Sequence, residues 1–463
     1  MSADRDYDLA IVGSGGGAFA AAIAARQRDL SVVMIESETL GGTCVNVGCI
    51  PSKALLAAAE TRYRASQRRF PGIRTETGPV DFGQVIAGKD SIVESLRQEK
   101  YADIAAQHGF ELLAGHARFV PGPALDVDGQ RVVAEHYLVA TGARPGVPDV
   151  PGLASSGYLT STTAMELGHL PGSMIVIGGG YVAMEQAQLF AHLGTQVTVL
   201  ARTALARREE PEIAQAIRQA FESDGIQVVE GAALLAVRRE YGRAVVITPE
   251  REFAADQLLV ATGRVPRTDG LGLERVGVST GAAGEIVVDE YLRTANPRIW
   301  AAGDVTGHPQ FVYVAARHGA LVVDNAFNGA ATTIDYRALP RITFTNPTIA
   351  SAGLTEAEAE AEGIITDSRV LDLADVPRAI VSRNTRGLVK LVAEHETGRL
   401  VGVHMLADGA GDAILAGVYA IEALRTVSDL ASSWNPYLTT GEALHLAAQS
   451  FTRDVKSLSC CAA

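Results

Sequence analysis

The sequence contains four cysteines, and they form two closely spaced pairs. Cys44 and Cys49 lie in the segment GGTCVNVGCIPSK, and Cys460 and Cys461 are adjacent in the C-terminal segment SLSCCAA. A disulfide between adjacent residues closes a cramped ring, and a chain end is a poor place to pack two small hydrophobic side chains. In a reducing compartment, tight cysteine pairs indicate redox chemistry or soft-metal binding more often than structural crosslinks.

The spacing of Cys44 and Cys49 predicts a bent segment. In an undistorted helix their Cα atoms would be separated by about 7.5 Å along the axis, which is beyond the usual reach of a disulfide. Gly48 can allow the bend. A cysteine at a helix N-terminus has its thiolate stabilised by the backbone dipole, which suits redox exchange. The spacing by itself leaves open that both cysteines are buried and without function.

A glycine-rich turn precedes this pair. In IVGSGGGA, Gly13, Gly15 and Ala18 form G-x-G-x-x-A between a predicted strand and a predicted helix, and Glu36 ends the next strand. The glycines let the backbone approach a pyrophosphate at the helix N-terminus, and the acid accepts hydrogen bonds from a ribose. The pattern predicts a dinucleotide site, and the alternative is a tight βα turn that binds nothing.

A second turn repeats the pattern with a different charge. In VIGGGYVA, Gly178, Gly180 and Ala183 form the turn, but Ala201 and Arg202 stand where the acid would be, and Arg207 and Arg208 follow. Guanidinium groups in place of the carboxylate suit a 2′-phosphate, so we expect this site to prefer NADPH over NADH. The alternative is a solvated basic loop. The two sites together predict FAD and NADPH in one chain.

Both turns lie in βαβ units, which predict an α/β fold with two Rossmann-like dinucleotide-binding domains. After about residue 338, alternating strands and amphipathic helices predict a C-terminal α+β domain that carries the cysteine tail. The predicted boundaries are 1–148 and 268–337 for the two parts of the FAD-binding domain, 149–267 for the NADPH-binding domain and 338–463 for the C-terminal domain.

Composition argues against several classes of partner. The formal charge is −13, from 40 basic and 53 acidic residues, which argues against nucleic acid and against an anionic membrane surface. The first segment, MSADRDYDLAIVG, has no basic region before its apolar run, and no apolar stretch of the sequence approaches membrane-spanning length. We expect a cytoplasmic protein whose ligands are small molecules.

These motifs together resemble the flavin disulfide reductases, the family of dihydrolipoamide dehydrogenase, glutathione reductase and mercuric reductase. The resemblance rests on GGTCVNVGCIPSK, on both glycine turns, on the two VATG segments and on WAAGDVTG at 300–307, and it covers nearly the whole chain. It implies that Cys49 forms the charge-transfer thiolate at the flavin and that Cys44 is the interchange thiol. It also implies a homodimer in which the C-terminal domain is the dimerisation domain.

The resemblance implies roles for further single residues. Lys53, one turn beyond Cys49, would lie near flavin N5, and Glu185 is the acid that such a lysine meets in the family. Tyr181 would cover the flavin on the nicotinamide side and move aside for NADPH. The other residues implied to bind FAD, through the ribityl chain or through backbone contacts, are Asp304, Thr43, Ala117 and Val312.

The C-terminal region favours one branch of the family. Disulfide reductases carry a His and a Glu there, in a pattern like H-P-x-x-x-E, because thiol exchange needs a base. This chain reads WNPYLTTGEAL, with Pro436, Tyr437 and Glu442 but with no histidine expected near them. A phenol with a pKa of about 10 is a poor base at neutral pH. The sequence therefore disfavours an ordinary disulfide substrate.

The PYLT segment and the terminal SCCA resemble the mercuric reductases, which use the tail cysteines to take Hg(II) from small-thiol complexes. Adjacent thiolates are soft ligands that suit a soft ion. The resemblance implies that Cys460 and Cys461 pass Hg(II) to Cys44 and Cys49 of the other subunit. There, electrons from NADPH, carried by FAD, reduce it to elemental mercury.

Tyr181 and Tyr437 would line the approach of the metal and assist its transfer between thiolates. The chain would be the catalytic core alone, without the N-terminal metal-capture domain that many of these enzymes carry. One alternative is a disulfide reductase of the thioredoxin reductase type, whose adjacent C-terminal cysteines relay electrons. Another is a metal buffer or sensor without turnover, against which both cofactor fingerprints and the C-x4-C-x3-K pattern are intact.

Overall fold

The structure is a computed structural model that describes residues 6–457 of the chain. By its internal contacts the chain divides into two compact units. The first unit comprises Met1–Leu55, Gly83–Gly146 and Gly263–Ile334, and the second comprises Leu56–Phe82, Val147–Thr262 and Asp335–Ala463.

The helices and strands follow one another in this order. From residue 6 to residue 146 they are β1 (Tyr7–Val12), α1 (Gly16–Arg26), β2 (Val32–Glu36), α2 (Gly42–Asn46), α3 (Cys49–Ser66), α4 (Phe82–Arg97), a π-helical segment (Gln98–Ala102), α5 (Asp103–His108), β3 (Glu111–Ala114), β4 (Ala117–Val120), β5 (Ala124–Val127), β6 (Gln130–Val132), β7 (Ala134–Val139) and β8 (Ala143–Pro145). From 147 to 262 they are α6 (Ser161–Ala164), β9 (Ser173–Ile177), α7 (Tyr181–Leu193), β10 (Gln196–Ala201), α8 (Pro211–Ser223), β11 (Gln227–Glu230), β12 (Ala236–Glu240), β13 (Arg243–Ile247), β14 (Glu252–Ala255) and β15 (Gln257–Val260).

From residue 263 onward they are β16 (Arg264–Pro266), a 3-10 turn (Leu273–Val276), β17 (Ile299–Ala301), a 3-10 turn (Gly303–Thr306), α9 (Val312–Asn328), β18 (Arg341–Thr343), β19 (Thr348–Gly353), α10 (Glu356–Ala361), β20 (Thr366–Asp372), a 3-10 turn (Leu373–Asp375), α11 (Pro377–Val381), β21 (Leu388–Glu394), β22 (Leu400–Ala407), α12 (Ala410–Glu422), α13 (Val427–Ser432), α14 (Glu442–Gln449) and a 3-10 turn (Val455–Ser457).

The first unit is built on a five-stranded parallel sheet in the order β17-β7-β1-β2-β3. Its strands are nearly continuous apolar runs, as expected for parallel strands covered on both faces. Helices α1 and α9 pack very closely at Gly17 and Gly319. A Cβ at Gly319 would lie 2.0 Å from the carbonyl oxygen of Gly17, so only glycine fits at position 319. The N-terminal residues of the two helices are also close, since a Cβ at Gly16 would lie 3.1 Å from the Val312 side chain.

The second unit contains a four-stranded parallel sheet in the order β11-β10-β9-β15. Strands β12, β13 and β14, which come between β11 and β15 in the sequence, form a separate small antiparallel sheet. The β9-α7-β10 segment is the second βαβ unit that the sequence predicts. The C-terminal part forms a five-stranded antiparallel sheet in the order β18-β19-β22-β21-β20. Residues of α12 and α14 pack on this sheet in one apolar cluster. The predicted fold class is confirmed, and the exact domain boundaries stay predictions.

Two buried polar clusters stabilise the second unit. Lys390, whose side chain is 1% exposed, contacts the carboxylates of Glu210, Glu212 and Glu356. The Glu210 side chain is only 2% exposed. Since a buried charge is tolerated only when it is paired, these groups depend on one another.

The second cluster surrounds Asp224, whose carboxylate is 1% exposed. It accepts hydrogen bonds from Tyr63, Gln188 and Arg386, and it contacts the His192 ring at 3.1 Å. Burial alone would raise the pKa of Asp224, but the hydrogen bonds from His192 and Tyr63 and the Arg386 charge outweigh it and lower that pKa. Asp224 is therefore held as a carboxylate in the folded protein.

Within residues 6–457, no helix is both long enough and apolar enough to cross a bilayer.

Candidate active site

The first glycine turn connects β1 to α1 and has the shape of a phosphate cradle. Gly13 has a φ of +102°, and a Cβ there would lie 2.5 Å from the Ala140 carbonyl oxygen, so the tight turn requires glycine. At Gly15, which precedes α1, an added Cβ would meet no heavy atom within 4 Å. Ala18 is fully buried. The open space lies at a helix N-terminus, where phosphate oxygens are favoured.

The acid predicted for ribose binding lies at the end of β2, as expected. The Glu36 carboxylate accepts a hydrogen bond from Ser14 Oγ at 2.5 Å and one from the Glu38 amide at 2.8 Å. Ser14 Oγ also accepts a hydrogen bond from the Gly41 amide. The sequence reasoning missed Ser14, although it lies inside the glycine fingerprint. These residues fit an FAD molecule that is bound through its adenosine half.

The second glycine turn, in the second unit, has the same construction between β9 and α7. A Cβ at Gly178, whose φ is +136°, would lie 2.2 Å from the Ala261 carbonyl oxygen, whereas one at Gly180 would meet nothing within 4 Å. Ala183 is fully buried. Strand β10 ends at Ala201, which takes the place that Glu36 has at the end of β2, and the exposed Arg202 follows it.

Arg207 lies exposed on the loop between β10 and α8, five positions after Arg202. The backbone of this loop closes on the turn, since the Ala206 amide donates to the Gly179 carbonyl. Glu230, at the end of β11, is engaged by the Leu205 amide and by Arg218. The region thus offers arginines beside the glycine turn, which fits a 2′-phosphate and favours NADPH.

The redox segment bends between its two cysteines, as their spacing predicts. Cys44 lies in the short helix α2, and Cys49 is the first residue of the long helix α3. Gly48 is required at this bend because the chain passes close to Thr43: a Cβ at position 48 would lie 2.8 Å from the Thr43 carbonyl oxygen. The Gly48 backbone itself is not left-handed. Asn46 braces the loop by donating to two carbonyls, those of Leu40 and Gly42.

Cys44 and Cys49 are half-buried thiols that share a side-chain hydrogen bond. This hydrogen bond and the burial of the site raise the pKa of Cys44, and the nearby Lys53 ammonium opposes the rise only in part. The Cys44 thiol is therefore harder to ionise than an isolated cysteine. Cys49 lies at the N-terminus of α3, where the helix dipole stabilises an anion, which favours a thiolate at that position.

Tyr101 is a neighbour of the cysteine pair that the sequence reasoning did not find. It lies in the π-helical segment, and its ring would be 3.2 Å from a Cβ at Gly41, which precedes α2. Burial, with further contributions from Cys44 and Cys49, raises the pKa of Tyr101 to about 12. Single π-helical turns are common at functional sites. The residue is far from the cysteines in sequence, so no local pattern signals it.

The other residues predicted to contact FAD lie in the first unit. Thr43 is in α2, Ala117 begins β4 and Val312 begins α9. Asp304 lies in the 3-10 turn that follows β17, and its carboxylate is 3.6 Å from Arg264. Burial raises the pKa of Asp304.

Tyr181 and Glu185 lie on α7 of the second unit. Tyr181 is the first residue of this helix and is 38% exposed, whereas Glu185, one turn later, is 5% exposed. The Glu185 carboxylate accepts a hydrogen bond from the Phe344 amide at 2.9 Å.

The residues of the C-terminal motif lie before and at the start of α14. Tyr437 is 49% exposed, and Glu442, the first residue of α14, is buried and accepts a hydrogen bond from the Leu438 amide. The sequence reasoning overlooked His445, which lies on α14 one turn after Glu442. The His445 ring is buried, with Nδ1 bonded to the Leu430 carbonyl and Nε2 to Gln449. His445 is therefore not an exposed base that could serve thiol exchange.

The predicted metal ligands Cys460 and Cys461 lie outside the described residues. Within residues 6–457, no group of three or more His, Cys, Asp or Glu side chains is arranged to hold a metal ion.

Comparison with known proteins gives a consistent result. The family model described as pyridine nucleotide-disulphide oxidoreductase matches residues 7–319, and the model of the dimerisation domain of that family matches residues 339–448. A protein named mercuric reductase from Streptomyces lividans is 58% identical over 473 residues, which cover 100% of both chains. One of the same name from Staphylococcus aureus is 46% identical and covers 99% of this chain and 85% of its own length.

Solved structures of flavoenzymes share the fold. The HOCl-induced flavoprotein disulfide reductase RclA from Escherichia coli, in a Cu(II) complex, has a TM-score of 0.88 and 28% identity over 97% of this chain and 100% of that chain. LpdA from Mycobacterium tuberculosis has a TM-score of 0.86 and 26% identity over 96% of this chain and 100% of that chain.

Proposed function

The chain belongs to the pyridine nucleotide-disulphide oxidoreductase family, and from this membership we propose that it is an NADPH-dependent flavoprotein that reduces Hg(II) to elemental mercury. Full-length relatives that are named mercuric reductase support this activity. The observation in the structure that carries the proposal is the pair of hydrogen-bonded thiols of Cys44 and Cys49 at the start of α3. Thiolates are the soft ligands that a soft metal ion selects.

FAD and NADPH are the cofactors of this enzyme. FAD fits the first glycine turn, where Gly15 leaves open space and Glu36 is held for the ribose. NADPH fits the second turn, where Gly180 leaves similar space, Ala201 replaces the acid and the exposed Arg202 follows it. When bound, FAD accepts a hydride from NADPH and supplies the electron pair for the reduction.

The metal-binding step of the proposed mechanism is a ligand exchange. Hg(II) arrives as a complex with two small thiolates, and Cys44 and Cys49 replace them one after the other. Two Hg–S bonds break and two form, and the proton of the Cys44 thiol passes to one of the two departing thiolates. The arrival of two electrons then breaks both Hg–S bonds, which releases neutral mercury and leaves Cys44 and Cys49 as thiolates.

Electrostatics around the pair support a stepwise exchange. We propose that Cys49, at the N-terminus of α3, is the thiolate of the pair, and that Cys44 acts as the interchange thiol once its proton has been removed. The Lys53 ammonium lowers the pKa of Cys44, so it helps the second thiol to ionise. We further propose that Lys53 and Glu185 act at the flavin, and that Tyr181, which is partly exposed at the start of α7, yields to NADPH.

The protein forms a homodimer through its C-terminal domain, consistent with the match of residues 339–448 to the dimerisation domain of the family. We propose that Cys460 and Cys461 of one subunit collect Hg(II) from small-thiol complexes for Cys44 and Cys49 of the other. Tyr437, which is 49% exposed, is proposed to assist this transfer. A cytoplasmic location, with neither nucleic acid nor membrane as partner, stays a prediction.

The test is an anaerobic assay of NADPH oxidation by the purified FAD-containing protein. Hg(II) is supplied in excess small thiol, and oxidised thioredoxin and glutathione disulfide are supplied in parallel reactions. We expect oxidation only with Hg(II), with one elemental mercury released into the gas phase per NADPH. Oxidation only with a disulfide would contradict the proposal and would make the tail cysteines an electron relay.

Two double variants separate the roles of the cysteine pairs. The variant with Cys44 and Cys49 both changed to Ala should lose turnover with every form of Hg(II). The variant with Cys460 and Cys461 both changed to Ala should lose turnover mainly with thiol-bound Hg(II), because only delivery depends on the tail. If the tail variant reduces thiol-bound Hg(II) as fast as the parent, the relay is wrong.

A further inference from the structure

His318 lies next to the Asp304 turn, and neither the sequence motifs nor the proposed mechanism gives it a role. It lies on α9 and its side chain is fully buried. Its Nδ1 accepts a hydrogen bond from the backbone amide of Gly303 at 3.2 Å. Gly303 is the first residue of the 3-10 turn that contains Asp304.

The turn is held at several points, and His318 provides one of them. The Gly303 carbonyl accepts a hydrogen bond from Thr306 Oγ1 within the turn, at 2.7 Å. Gly303 has a φ of +75°, and a Cβ there would lie 3.0 Å from the Ala315 side chain on α9. Ala315 and His318 are three residues apart, so they lie on the same face of the helix. Helix α9 therefore supplies both the surface against which the turn packs and the acceptor for its first amide.

The chemistry of His318 suits a permanent acceptor. Burial, together with the neighbouring His308, lowers the pKa of His318 to about 4. The ring is therefore neutral at physiological pH, and an accepting Nδ1 requires the proton to be on Nε2. The His308 ring lies edge-on at a centroid distance of 5.3 Å. Without His318, the Gly303 amide would be a buried donor without its acceptor, which is costly.

We propose that His318 is a positioning residue for FAD, because its Nδ1 fixes the Gly303 amide and with it the turn that presents Asp304 to the cofactor. This inference rests on the proposed FAD site. Asp304 directly follows Gly303 in the 3-10 turn, so the position of its carboxylate depends on the backbone of the turn. A loosened turn would weaken FAD binding without removing any group that contacts FAD.

The test measures the FAD dissociation constant of the purified holoenzyme by ultrafiltration at a series of dilutions. His318→Ala and His318→Leu should each raise this constant roughly tenfold, because both lose the acceptor. His318→Asn should stay within about threefold of the parent, since the Asn Oδ1 can take the place of Nδ1. His395→Ala, at an exposed histidine that pairs with Asp367, should leave FAD binding unchanged.

The proposal is overturned if His318→Ala retains FAD like the parent, or if His318→Asn releases FAD as readily as His318→Leu. If the variants do not fold, 15N NMR of the holoenzyme with labelled histidine decides the question. The His318 ring, assigned through its proximity to the His308 ring, is expected to be neutral with the proton on Nε2, and a protonated Nδ1 on this ring would refute the role. A parent that binds FAD but fails to reduce Hg(II) would contradict the proposed function and leave this test intact.

Discussion

Gly48→Ala should damage the redox site more than it damages the fold. Gly48 lies between α2, which carries Cys44, and the start of α3 at Cys49. The new methyl group would lie 2.8 Å from the Thr43 carbonyl oxygen, and ordinary contact begins at 3.4 Å. The loop would therefore have to shift by about 0.6 Å, the difference between these two distances. Overpacking of this kind costs roughly 1–3 kcal/mol of stability.

The functional loss follows from the geometry of two sulfur atoms that must bind one ion. Since a misplacement of about 1 Å can cost a hundredfold in rate, a shift of about 0.6 Å should lower kcat/KM for Hg(II) by about tenfold. The assay is Hg(II)-dependent NADPH oxidation, with the free energy of unfolding measured by guanidinium denaturation. The FAD content is measured in the same samples, because Thr43 is itself predicted to contact FAD.

Gly88→Ala is the matched control. Gly88 lies on α4, its backbone is not left-handed, and an added Cβ would meet no heavy atom within 4 Å. This substitution should keep full activity and should stabilise the protein by about 0.5–1 kcal/mol, because alanine favours a helix. A Gly48→Ala enzyme with the parent kcat/KM would refute the reasoning, and so would an equal loss of activity in the control.

Three further sets of substitutions test other parts of the molecule. Changing both Arg202 and Arg207 to Ala should raise KM for NADPH by about tenfold or more and leave KM for NADH nearly unchanged, since only the 2′-phosphate loses its partners. Equal changes in KM for both nucleotides in steady-state assays would contradict this prediction. Asp224→Asn should destabilise the fold by about 2 kcal/mol near neutral pH. Because folding lowers the pKa of Asp224, this contribution is present above the ordinary value of 3.8 and is lost as the pH falls below it, so denaturation curves of parent and variant should converge in acid. Lys390→Met should lower the free energy of unfolding by about 3–5 kcal/mol, because it leaves Glu210 as a buried unpaired charge. Adding Glu210→Gln to this variant should recover part of the lost denaturation midpoint.

The predictions from sequence were best where all residues that form a structural feature lie in one contiguous segment. A strand, a turn that only glycine can make and a helix N-terminus follow one another within a few residues, so the cofactor turns at Gly13 and Gly178 could be recognised. The bend between Cys44 and Cys49 could be deduced for the same reason, because helix geometry fixes the distance between them. Even there, the structure was needed to show why position 48 requires glycine, which is that a Cβ would clash with the Thr43 carbonyl five residues earlier.

The sequence by itself therefore determined the class of fold, the two dinucleotide turns, the reactive thiol pair and the family. Only the tertiary structure decided which distant groups surround these elements. It placed Tyr101 beside the cysteines, His318 against the Asp304 turn and His445 inside the fold with both ring nitrogens engaged. Hydrogen bonds and burial depend on distances between groups that are remote in the chain. No local periodicity encodes these distances, because they are set by the packing of whole helices and sheets.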